Sequence, residues 1–543
     1  MNSVCLPFGS LPGQNPLFVD FAHRFEAVRD FYHPPPLTQP QLGQRLERAR
    51  RSCGVRRESL AVALARYNST LHPGEALARN LKAFGSQDCV AVVTGQQVTL
   101  FGGPSYTVFK AATAVRMARR LREQGANAVP VFWLASNDSD FQEVNHTHFL
   151  SSDARLVQVT FAGQPEHSCQ MAGTVPLSSI GTSLTELRSS VDFHPFSETI
   201  LEDLERDYRK DRSFREAFAA WISRLFADYG LIVFDPLMDG YQESLSRFYE
   251  IAVSRRQPII EGLVQRNQEI VAAGYDPQVW VDDHESLLFL MDGSRRYKLL
   301  WEEDRYRARE KREFSFSSEE LLRLARRDPG RLGVNVLLRP ILQDYLFPTA
   351  FYVGGPSEVA YFAQLNSVAS HWDQEPVILP RAGFTIVNRL SQRHLKRHHI
   401  TALDVIQRST DDLTEMILRE SRQGDALHQM DSVSAELRQR LEELQQVIHS
   451  FDPTVSAMLE NTREKMLYQL DKVKSRFVLN HRRTAPSLQQ HLDHLLNHLR
   501  PLNKLQERVI SFNHFLMDRG PGFLHEIIEL TDPLCFSHRL LET

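Results

Sequence analysis

The stretch DCVAVVTGQQVTLFGGPSYTVFK, residues 88–110, carries the strongest fold signal in this chain. Between Asp88 and Thr94 its first residues are apolar and rich in β-branched side chains, which predicts a strand buried on both faces. A glycine-rich turn follows, and then apolar side chains recur every three or four residues, which predicts an amphipathic helix. A second buried strand, AVPVFWLA, is predicted at residues 128–135. Strand, turn, helix and strand form a βαβ unit, so we expect a parallel sheet.

Later segments extend this predicted sheet over at least residues 88–390. Short apolar runs predict further strands at residues 230–235, 335–339 and 351–355. Pro356 opens a helical pattern directly after the last of them, because proline favours the first turn of a helix. The predicted fold class is therefore α/β with a parallel-sheet core.

Changes in residue composition and hydrophobic periodicity along the chain predict two domains. The core covers residues 1–402 and begins with a helical lead-in that ends near Phe84. Small inserted subdomains are predicted near 146–215, which is rich in Ser and Thr, and near 270–330, where Asp292-Gly293 predicts a hairpin. Residues 403–543 are predicted to be helical throughout.

The C-terminal domain carries coiled-coil patterns. Apolar side chains step by three and four over residues 437–451 and again over 459–477, with Asp452-Pro453 between them. Because proline ends one helix and begins another, these seams predict an antiparallel helical hairpin. The leucines of residues 488–502 continue the stepping and predict that the seam resumes. Heptads do not set the number of chains, so a bundle within one chain and an arm that forms a dimer both stay open.

The composition excludes several classes of protein. The 543 residues are too many for one small binding module, because single cores stop growing near roughly 250–300 residues. Lys and Arg number 63 against 67 Asp and Glu, so no global basic field attracts nucleic acid or a membrane. No stretch approaches the ~18 apolar residues of a membrane span, and the five cysteines include no CxxC pair. We therefore expect a cytoplasmic protein with reduced thiols and small-molecule substrates.

The loop between the first strand and its helix is the first candidate site. Open α/β sheets bind ligands at the carboxyl ends of their strands, and a helix N-terminus there favours an anion. The loop matches neither GxGxxG nor GxxxxGK[ST], and its glycines can serve simply as turn formers. The candidate residues are Thr94, Gly95, Gln96, Gln97, Gly102, Gly103, Ser105 and Tyr106 for binding, and Lys110 for catalysis.

Polar residues directly after the second strand form the second candidate site, SNDSDFQEVNH at residues 136–146. Asp138 and Asp140 are candidate catalytic carboxylates, and Asn137 and His146 are candidate binding residues. The spacing matches neither HExxH nor another metal motif, so we predict no metal and favour recognition of an amine or of hydroxyl groups. The alternative is an aspartate that caps a solvated turn.

The third candidate site surrounds the later strands. Arg339 is expected at the carboxyl end of its strand, where a guanidinium can clamp a carboxylate or phosphate with two hydrogen bonds. Arg381 has the same potential, and a plain salt bridge is the alternative for both. The sequence contains no GxSxG nucleophile elbow. The other candidate binding residues here are Gln343, Gly354, Gly355 and Glu358.

These three regions resemble one family, the cysteine-adding enzymes of bacillithiol biosynthesis. The resembling stretches are TGQQVTLFGGPSYTVFKA, PVFWLASNDSDFQEVNH, LLRPILQDYLFPTAFYVGGPSEVAYFAQL and KLQERVISFNHFL. The resemblance implies a Rossmann-like core with connecting-peptide insertions related to class I aminoacyl-tRNA synthetases, and a coiled-coil domain that supports a homodimer. It also implies a ligase that joins the cysteine carboxyl group to the amine of glucosaminyl-malate as the last step of bacillithiol formation. ATP is the suspected nucleotide.

Two departures from the family pattern stand out. Where the family tends to read A-S/T-E-D-H-D, this chain has ASNDSD at residues 135–140, so Asn137 and Ser139 replace a glutamate and a histidine. The synthetase-type HIGH sequence is also missing, and GPSY at residues 103–106 stands near its expected place.

Amide formation limits the mechanism, because a free carboxylate is a poor acyl donor and needs activation, most simply as an adenylate or acyl-phosphate. As a hypothesis, the Gly95–Gly103 loop and Lys110 hold phosphate. The two candidate aspartates hold the cysteine ammonium or sugar hydroxyls, and one of the two arginines clamps the malate carboxylates. The alternatives are another ATP-dependent ligase or nucleotidyltransferase on the same core, and a non-catalytic coiled-coil scaffold.

Overall fold

The computed structural model describes residues 2–33, 39–53, 57–191, 193–421 and 423–543. Its strands form one central parallel sheet of five strands, one antiparallel sheet of five strands and two smaller sheets. The strands are β1 (Asn2–Pro7), β2 (Val90–Gln96), β3 (Ala128–Leu134), β4 (His146–Leu150), β5 (Leu156–Thr160), β6 (Ile232–Phe234), β7 (Glu285–Asp292), β8 (Arg295–Glu302), β9 (Arg305–Ala308), β10 (Ser315–Phe316), β11 (Leu332–Val334), β12 (Thr349–Gly354), β13 (Ile378–Pro380), β14 (Gly383–Val387) and β15 (Ser537–Glu542).

Helices surround the sheets and make up most of the C-terminal third. None of the helices in the described ranges combines the length and apolarity that crossing a bilayer requires. The helices are α1 (Pro16–His23), α2 (Gln39–Ser52), α3 (Arg57–Asn68), α4 (Glu75–Phe84), α5 (Tyr106–Glu123), α6 (Ile180–Val191), α7 (Ser197–Asp207), α8 (Phe214–Leu225), α9 (Ser246–Ser254), α10 (Arg256–Ala272), α11 (Ser318–Arg327), α12 (Leu338–Leu346), α13 (Pro356–Phe362), α14 (Asn366–Ala369), α15 (Arg389–Arg397), α16 (Ala402–Gln407), α17 (Thr410–Arg419), α18 (Gly424–His449), α19 (Pro453–Thr484), α20 (Pro486–Leu499), α21 (Phe512–Arg519) and α22 (Phe523–Leu530).

The central sheet has five parallel strands in the order β13-β12-β2-β3-β6. If these five strands are numbered by their order along the chain, their order across the sheet from the β6 edge is 3-2-1-4-5. This is the doubly wound order of a Rossmann-like fold, and the winding reverses between β2 and β12. The predicted α/β class and parallel sheet are confirmed.

The apolar run in β2 reflects burial on both faces. Val90 and Val92 pack in one core cluster with side chains of α5, whereas Ala91 and Val93 pack in the main core, which includes Phe84 of α4. All four strand residues are fully buried. A strand covered on both sides needs apolar residues at every position, which is why this run does not alternate.

One predicted strand is wrong. Residues 335–339 are not extended, because β11 ends before them and Arg339 lies in the first turn of α12. The side-chain oxygen of Asn335 accepts hydrogen bonds from two backbone amides of this turn, each at 3.1 Å. Pro340 follows directly. Proline lacks the amide donor that a central strand needs, but it is tolerated in the first turn of a helix.

An antiparallel sheet, in the order β10-β9-β8-β7-β11, lies over the carboxyl end of β3. The predicted hairpin at Asp292-Gly293 is confirmed as the turn between β7 and β8. Arg296 on β8 donates to the carbonyl oxygen of Asn137 at 2.8 Å and to the carboxylate of Asp138 at 3.2 Å. This sheet therefore forms a wall beside the residues that follow β3.

A three-stranded sheet joins the first and last strands of the described chain. β1 pairs antiparallel with β15, and β15 pairs parallel with β14. Directly before β14, Arg381 forms two hydrogen bonds with the carboxylate of Glu507, at 2.6 and 2.9 Å. The segment that contains Glu507 is thereby held against the central sheet.

Helices α18 and α19 form an antiparallel hairpin, as predicted. Lys474 donates to Asp431 at 2.9 Å, and Gln445 donates to Glu460 at 3.1 Å. Residues early in α18 therefore face residues late in α19. The predicted return of the coiled-coil seam after this hairpin is wrong. Four of the five leucines that suggested it are buried in the main core instead, because the Ala485-Pro486 break ends α19 and lets α20 pack on α15, α16 and β14; they are Leu488, Leu492, Leu495 and Leu499. The fifth, Leu502, lies beyond α20 and is exposed.

A cluster of histidines fills the contact between α15 and α20. The rings of His394 and His491 stack with centroids 4.1 Å apart, and the Nε2 atom of His398 lies 2.9 Å from the Nδ1 atom of His491. His498 is 1% exposed, and its Nδ1 atom lies 2.8 Å from the hydroxyl of Ser391. Burial, together with the neighbouring imidazoles, lowers the pKa of His394 to about 4 and that of His498 to about 3.

Acid is expected to destabilise the protein through His498. Because the folded-state pKa of His498 lies below 6.5, the unfolded chain binds this proton more tightly. Its contribution is complete above about pH 6.5 and is lost as the pH falls toward 3, so that about 2 kcal/mol is lost at pH 5. Urea unfolding at pH 7 and pH 5 measures the loss. His498→Asn should remove that part of the pH dependence, whereas His167→Asn, at an exposed position, should not. Equal pH dependence in both variants would contradict this account.

Candidate active site

The carboxyl ends of β2 and β12 border a cleft of about 670 Å³. It lies where the winding of the central sheet reverses, which is where open α/β sheets bind ligands. Residues from all three predicted site regions line the cleft, so the fold brings these regions together. The predicted residues that line it are Gly95, Gln96, Gln97, Tyr106, Lys110, Asp138, Arg339, Gly355, Glu358 and Arg381.

A buried ion pair joins two walls of the cleft. Lys110 on α5 contacts the carboxylate of Glu358 on α13, and the lysine side chain is 4% exposed. The ammonium also donates to the carbonyl oxygen of Gly95 at 2.9 Å and to the side-chain oxygen of Gln96 at 3.1 Å. An ammonium has three N–H donors, so these contacts use all of them. Lys110 therefore supports the wall and has no donor left for a phosphate.

Glu358 is held as a carboxylate by its surroundings. It accepts hydrogen bonds from the hydroxyl of Tyr352 at 2.6 Å and from the amide of Gly355 at 2.7 Å. Burial opposes ionisation, but the positive charges of Lys110 and Arg339 hold the pKa of this carboxyl below its usual range. The ion pair thus stays charged although it is withdrawn from water.

The loop after β2 contributes only its first residues to the cleft. At Gly95 a Cβ atom would lie 2.6 Å from the carbonyl oxygen of Trp133, so the glycine allows β2 to lie close to β3. Gly102 and Gly103 lie outside the cleft and have φ angles of 79° and 66°. A Cβ atom at Gly102 would lie 2.3 Å from the ring of Trp221. These two glycines therefore permit a tight turn and close packing.

Three more predicted binding residues lie outside the cleft. The hydroxyl of Thr94 donates to the carbonyl oxygen of Val353 at 2.8 Å, and that of Ser105 donates to Ile510 at 2.6 Å. Both side chains are fully buried. A Cβ atom at Gly354 would lie 2.7 Å from a side chain of β13. All three positions connect elements of the core.

Asp138 is the predicted carboxylate that faces the cleft. It accepts hydrogen bonds from the side chains of Gln97, at 3.0 Å, and Arg296, at 3.2 Å. Gln97 also donates to Glu143 at 2.8 Å, which brings a second carboxylate to the same wall. The side chain of Asp138 remains 32% exposed, so it can contact a bound molecule as well.

The other predicted residues near Asp138 are divided. Asn137 lines two recesses beside the cleft. Asp140 is exposed and accepts a hydrogen bond from the backbone amide of Glu143 at 3.3 Å, which stabilises the turn. His146 begins β4, and its Nδ1 atom lies 3.1 Å from the side-chain oxygen of Asn145. Asp140 and His146 thus lie outside the cleft.

The two predicted arginines differ in their surroundings. Arg381 is committed to Glu507 through two buried hydrogen bonds. Arg339 donates to the hydroxyl of Tyr361 at 2.9 Å, but its Nε atom is buried and has no hydrogen-bond partner among the described residues. Gln343, one helical turn further along, is 1% exposed, and both of its amide atoms equally lack partners in the described chain. Arg339 is therefore the arginine with donors available to a carboxylate.

Sequence reasoning missed two cations at the mouth of the cleft. Lys504 and Arg508 line it and are exposed. Within the described ranges, neither side chain forms an ion pair. They belong to the KLQERV stretch, which the resemblance singled out without assigning it to a site. Their position depends on the contact between Arg381 and Glu507, which joins residues far apart in the sequence.

The charge pattern suits an anionic ligand. Arg339, Lys504 and Arg508 line the cleft without carboxylate partners among the described residues, whereas Lys110 and Arg381 are neutralised by buried glutamates. Guanidinium and ammonium groups bind carboxylates and phosphates. The cleft can therefore hold a molecule with several negative charges, and Asp138 can orient an amine or a hydroxyl group beside it.

Comparisons with known proteins cover the whole chain. A family model described as "Bacillithiol biosynthesis BshC, N-terminal Rossmann-like domain" matches residues 1–382, and one described as "Bacillithiol biosynthesis BshC, C-terminal coiled-coil domain" matches residues 384–543. Several relatives carry the name "Putative cysteine ligase BshC". One from Solibacter usitatus is 31% identical over 100% of both chains, and one from Koribacter versatilis is 30% identical over 99% of each. One from Bacillus cereus is 27% identical over 91% of this chain and 92% of the relative.

Removing one partner of the buried ion pair is expected to lower the free energy of unfolding more than the double replacement would suggest if the two partners acted independently. Lys110→Met leaves the Glu358 carboxylate without its main partner, and this should cost about 3 kcal/mol or more of unfolding free energy. The double variant Lys110→Met/Glu358→Gln should lose clearly less than the sum of the two single variants, since no buried charge is left unpaired. Urea unfolding of the four proteins measures the coupling. The exposed pair Arg188 and Glu198 serves as the control and should show little coupling. Strict additivity at Lys110 and Glu358 would refute the interpretation.

Proposed function

This chain belongs to the BshC family of bacillithiol biosynthesis, and from that premise we propose that it is the ligase that adds cysteine to glucosaminyl-malate. The bond formed is an amide between the carboxyl group of cysteine and the amine of glucosaminyl-malate, in the last step of bacillithiol formation. The observation that carries this proposal is the group of cations without carboxylate partners in the cleft, because malate supplies two carboxylates.

We assign the malate carboxylates to Arg339. Its guanidinium lines the cleft, and the hydroxyl of Tyr361 holds one of its terminal nitrogens at 2.9 Å. A guanidinium fixed in this way offers the flat, two-pronged geometry that a carboxylate prefers. Arg381, the alternative predicted from the sequence, is already bound to Glu507.

The amine of glucosaminyl-malate is assigned to the wall that carries Asp138. This carboxylate is partly exposed to the cleft and is oriented by Gln97 and Arg296. It can accept hydrogen bonds from the amine or from sugar hydroxyls and so align the nucleophile. Such alignment is a large part of the rate enhancement in bimolecular reactions. Asp140 lies outside the cleft and is left out of this assignment.

ATP is the proposed source of activation, since a carboxylate must be converted into a better acyl donor before an amine attacks it. The groups that fit its phosphates are Lys504 and Arg508, the exposed cations of the cleft. The glycine loop fits less well than the sequence suggested. The amide of Gly102 donates to the hydroxyl of Tyr208 at 2.9 Å, and that of Gly103 donates within the loop at 3.0 Å.

The ligation assay tests the proposal directly. Purified protein with cysteine, ATP and glucosaminyl-malate should give a product of the mass of bacillithiol, detected by mass spectrometry. Arg339→Lys keeps the charge but loses the fork, so we expect the KM for glucosaminyl-malate to rise about 10-fold or more. Arg326→Lys, on the exposed face of α11, is the matched control and should leave it unchanged.

Each outcome of this assay bears on a different part of the proposal. Full product formation without any nucleotide would reject the role of ATP. No cysteinyl product under any of these conditions would reject the ligase. An unchanged KM in Arg339→Lys would remove this arginine from the malate site.

The helical arm is proposed to form a homodimer. The α18–α19 hairpin exposes a set of apolar side chains that the chain itself does not cover, and a second copy of the same hairpin would bury them. The resemblance to the bacillithiol enzymes also implies such a dimer. The exposed residues are Val433, Leu444, Val447, Phe451, Val455, Met458, Met466, Tyr468 and Val473.

Introducing charged side chains into this apolar set is expected to dissociate the dimer. Val447→Glu combined with Met458→Glu places two carboxylates among side chains that are 58% and 69% exposed in the single chain. Sedimentation velocity should then show a shift from dimer to monomer with the helical content retained. Val62→Glu, at an equally exposed valine of α3, should leave the dimer intact. A wild-type protein that sediments as a monomer at all concentrations would overturn the proposal.

A further inference from the structure

A smaller pocket of about 210 Å³ opens beside the main cleft. It lies at the carboxyl ends of β3 and β6, under the β7–β11 wall. Its lining is largely apolar and aromatic and includes Trp133, Tyr241, Tyr249 and Met291. Arg339 lines both this side pocket and the main cleft, so a molecule in either cavity can meet its guanidinium.

Some polar groups of the side pocket already form hydrogen bonds within the protein, whereas others do not. The hydroxyl of Tyr241 donates to the carbonyl oxygen of Pro236 at 2.8 Å, and that of Tyr249 donates to Leu332 at 2.7 Å. Trp133 is only 3% exposed, yet its indole N–H has no hydrogen-bond partner in the part of the chain that the structure describes.

Two further groups in the side pocket are available. The Nε atom of Arg339 is buried without a partner among the described residues, and no hydrogen bond occupies the side-chain amide of Asn137 there. Buried donors are normally paired, so unpaired ones in a pocket wall point to a ligand that accepts hydrogen bonds. Two such donors, with the half-buried Asn137 amide beside them, match a carboxylate with a neighbouring ammonium, since that amide can both donate and accept.

We infer that the side pocket is the cysteine subsite of this ligase, an assignment that rests on the proposed function. The cysteine carboxylate lies at the Arg339 end of the pocket and accepts from the indole N–H of Trp133 and from the Nε–H of Arg339, whose terminal N–H donors remain for malate in the main cleft. The thiol lies among Met291 and the aromatic rings, because sulfur makes favourable contacts with aromatic edges. The carboxyl carbon is thus presented to an amine held in the main cleft.

The volume of the side pocket indicates which of the two substrates it can hold. At about 30 Å³ for each water-sized group, 210 Å³ accommodates about seven non-hydrogen atoms, the number in cysteine. Glucosaminyl-malate has about twenty and requires roughly 600 Å³, which exceeds the side pocket. The pocket therefore excludes the larger substrate and also amino acids with bulky side chains.

Trp133→Phe tests the subsite. The variant removes the indole N–H but keeps an aromatic ring against Phe234, whose centroid lies 4.4 Å away. We expect the KM for cysteine to rise about 10-fold, with the KM for glucosaminyl-malate unchanged within twofold. Calorimetric titration with cysteine alone should show the same loss of affinity. The melting temperature should fall less than it does in Trp221→Phe, because Trp133→Phe removes no hydrogen bond within the described chain.

Trp221→Phe is the matched control. This tryptophan is equally buried, but its indole N–H donates to Asn513 at 3.2 Å. The control variant should lower the melting temperature and leave the KM for cysteine unchanged. A second variant, Leu245→Phe, reduces the volume of the side pocket from another wall and should weaken cysteine binding as well.

The outcomes separate this inference from the proposed function. Cysteine that binds to the wild type and more weakly to Trp133→Phe, without turnover in the full reaction, would support the subsite and reject the ligase. Turnover with the same KM for cysteine in wild type, Trp133→Phe and Leu245→Phe would retain the ligase and overturn the subsite.

Discussion

The contact between Lys110 and Glu358 is the constraint on which the site depends. It joins the helix that follows β2 to the helix that follows β12, across the point where the winding of the sheet reverses. Two charges are withdrawn from water, and every donor of the ammonium and most acceptors of the carboxylate are satisfied by neighbours. A pair of this kind adds little stability over an apolar pair, and its attraction offsets the cost of desolvation only while its geometry is kept. The walls of the cleft are therefore fixed by electrostatics, whereas the helices behind them are fixed by apolar packing.

A second buried ion pair, between Arg381 and Glu507, likewise fixes part of the site. It anchors the segment that carries Lys504 and Arg508, and these cations then reach a cleft that is formed mainly by residues 95–358. The two pairs divide the basic groups of the site into structural and available ones. Lys110 and Arg381 are neutralised where they stand, and Arg339, Lys504 and Arg508 keep their charge for a ligand. The near balance of charge in the whole chain therefore conceals a local surplus.

Local patterns predicted the central part of the fold well. The run from Cys89 to Val93 is apolar at every position because helices cover both faces, and the following loop and helix are local consequences of the sequence. Arg339 was misplaced because an apolar run reads alike as strand or helix, and Asn335 with Pro340 settles the choice only in context. The leucines of α20 step as a coiled coil does, yet their partner is the core. The side pocket joins β3 to a sheet more than a hundred residues later, and no local signal reports such a meeting.

The pairing of β1 with β15 has a consequence for how the protein is made. Residues Asn2–Pro7 leave the ribosome long before their partner strand, Ser537–Glu542, is synthesised. β14 likewise waits for β15 to complete its ladder. Helices and the β2–β3 unit can form early in translation because their contacts are local, whereas the sheet of β1, β14 and β15 closes only once β15 has emerged. The active cleft needs residues 504–508, so the parallel-sheet core is synthesised well before its site is complete.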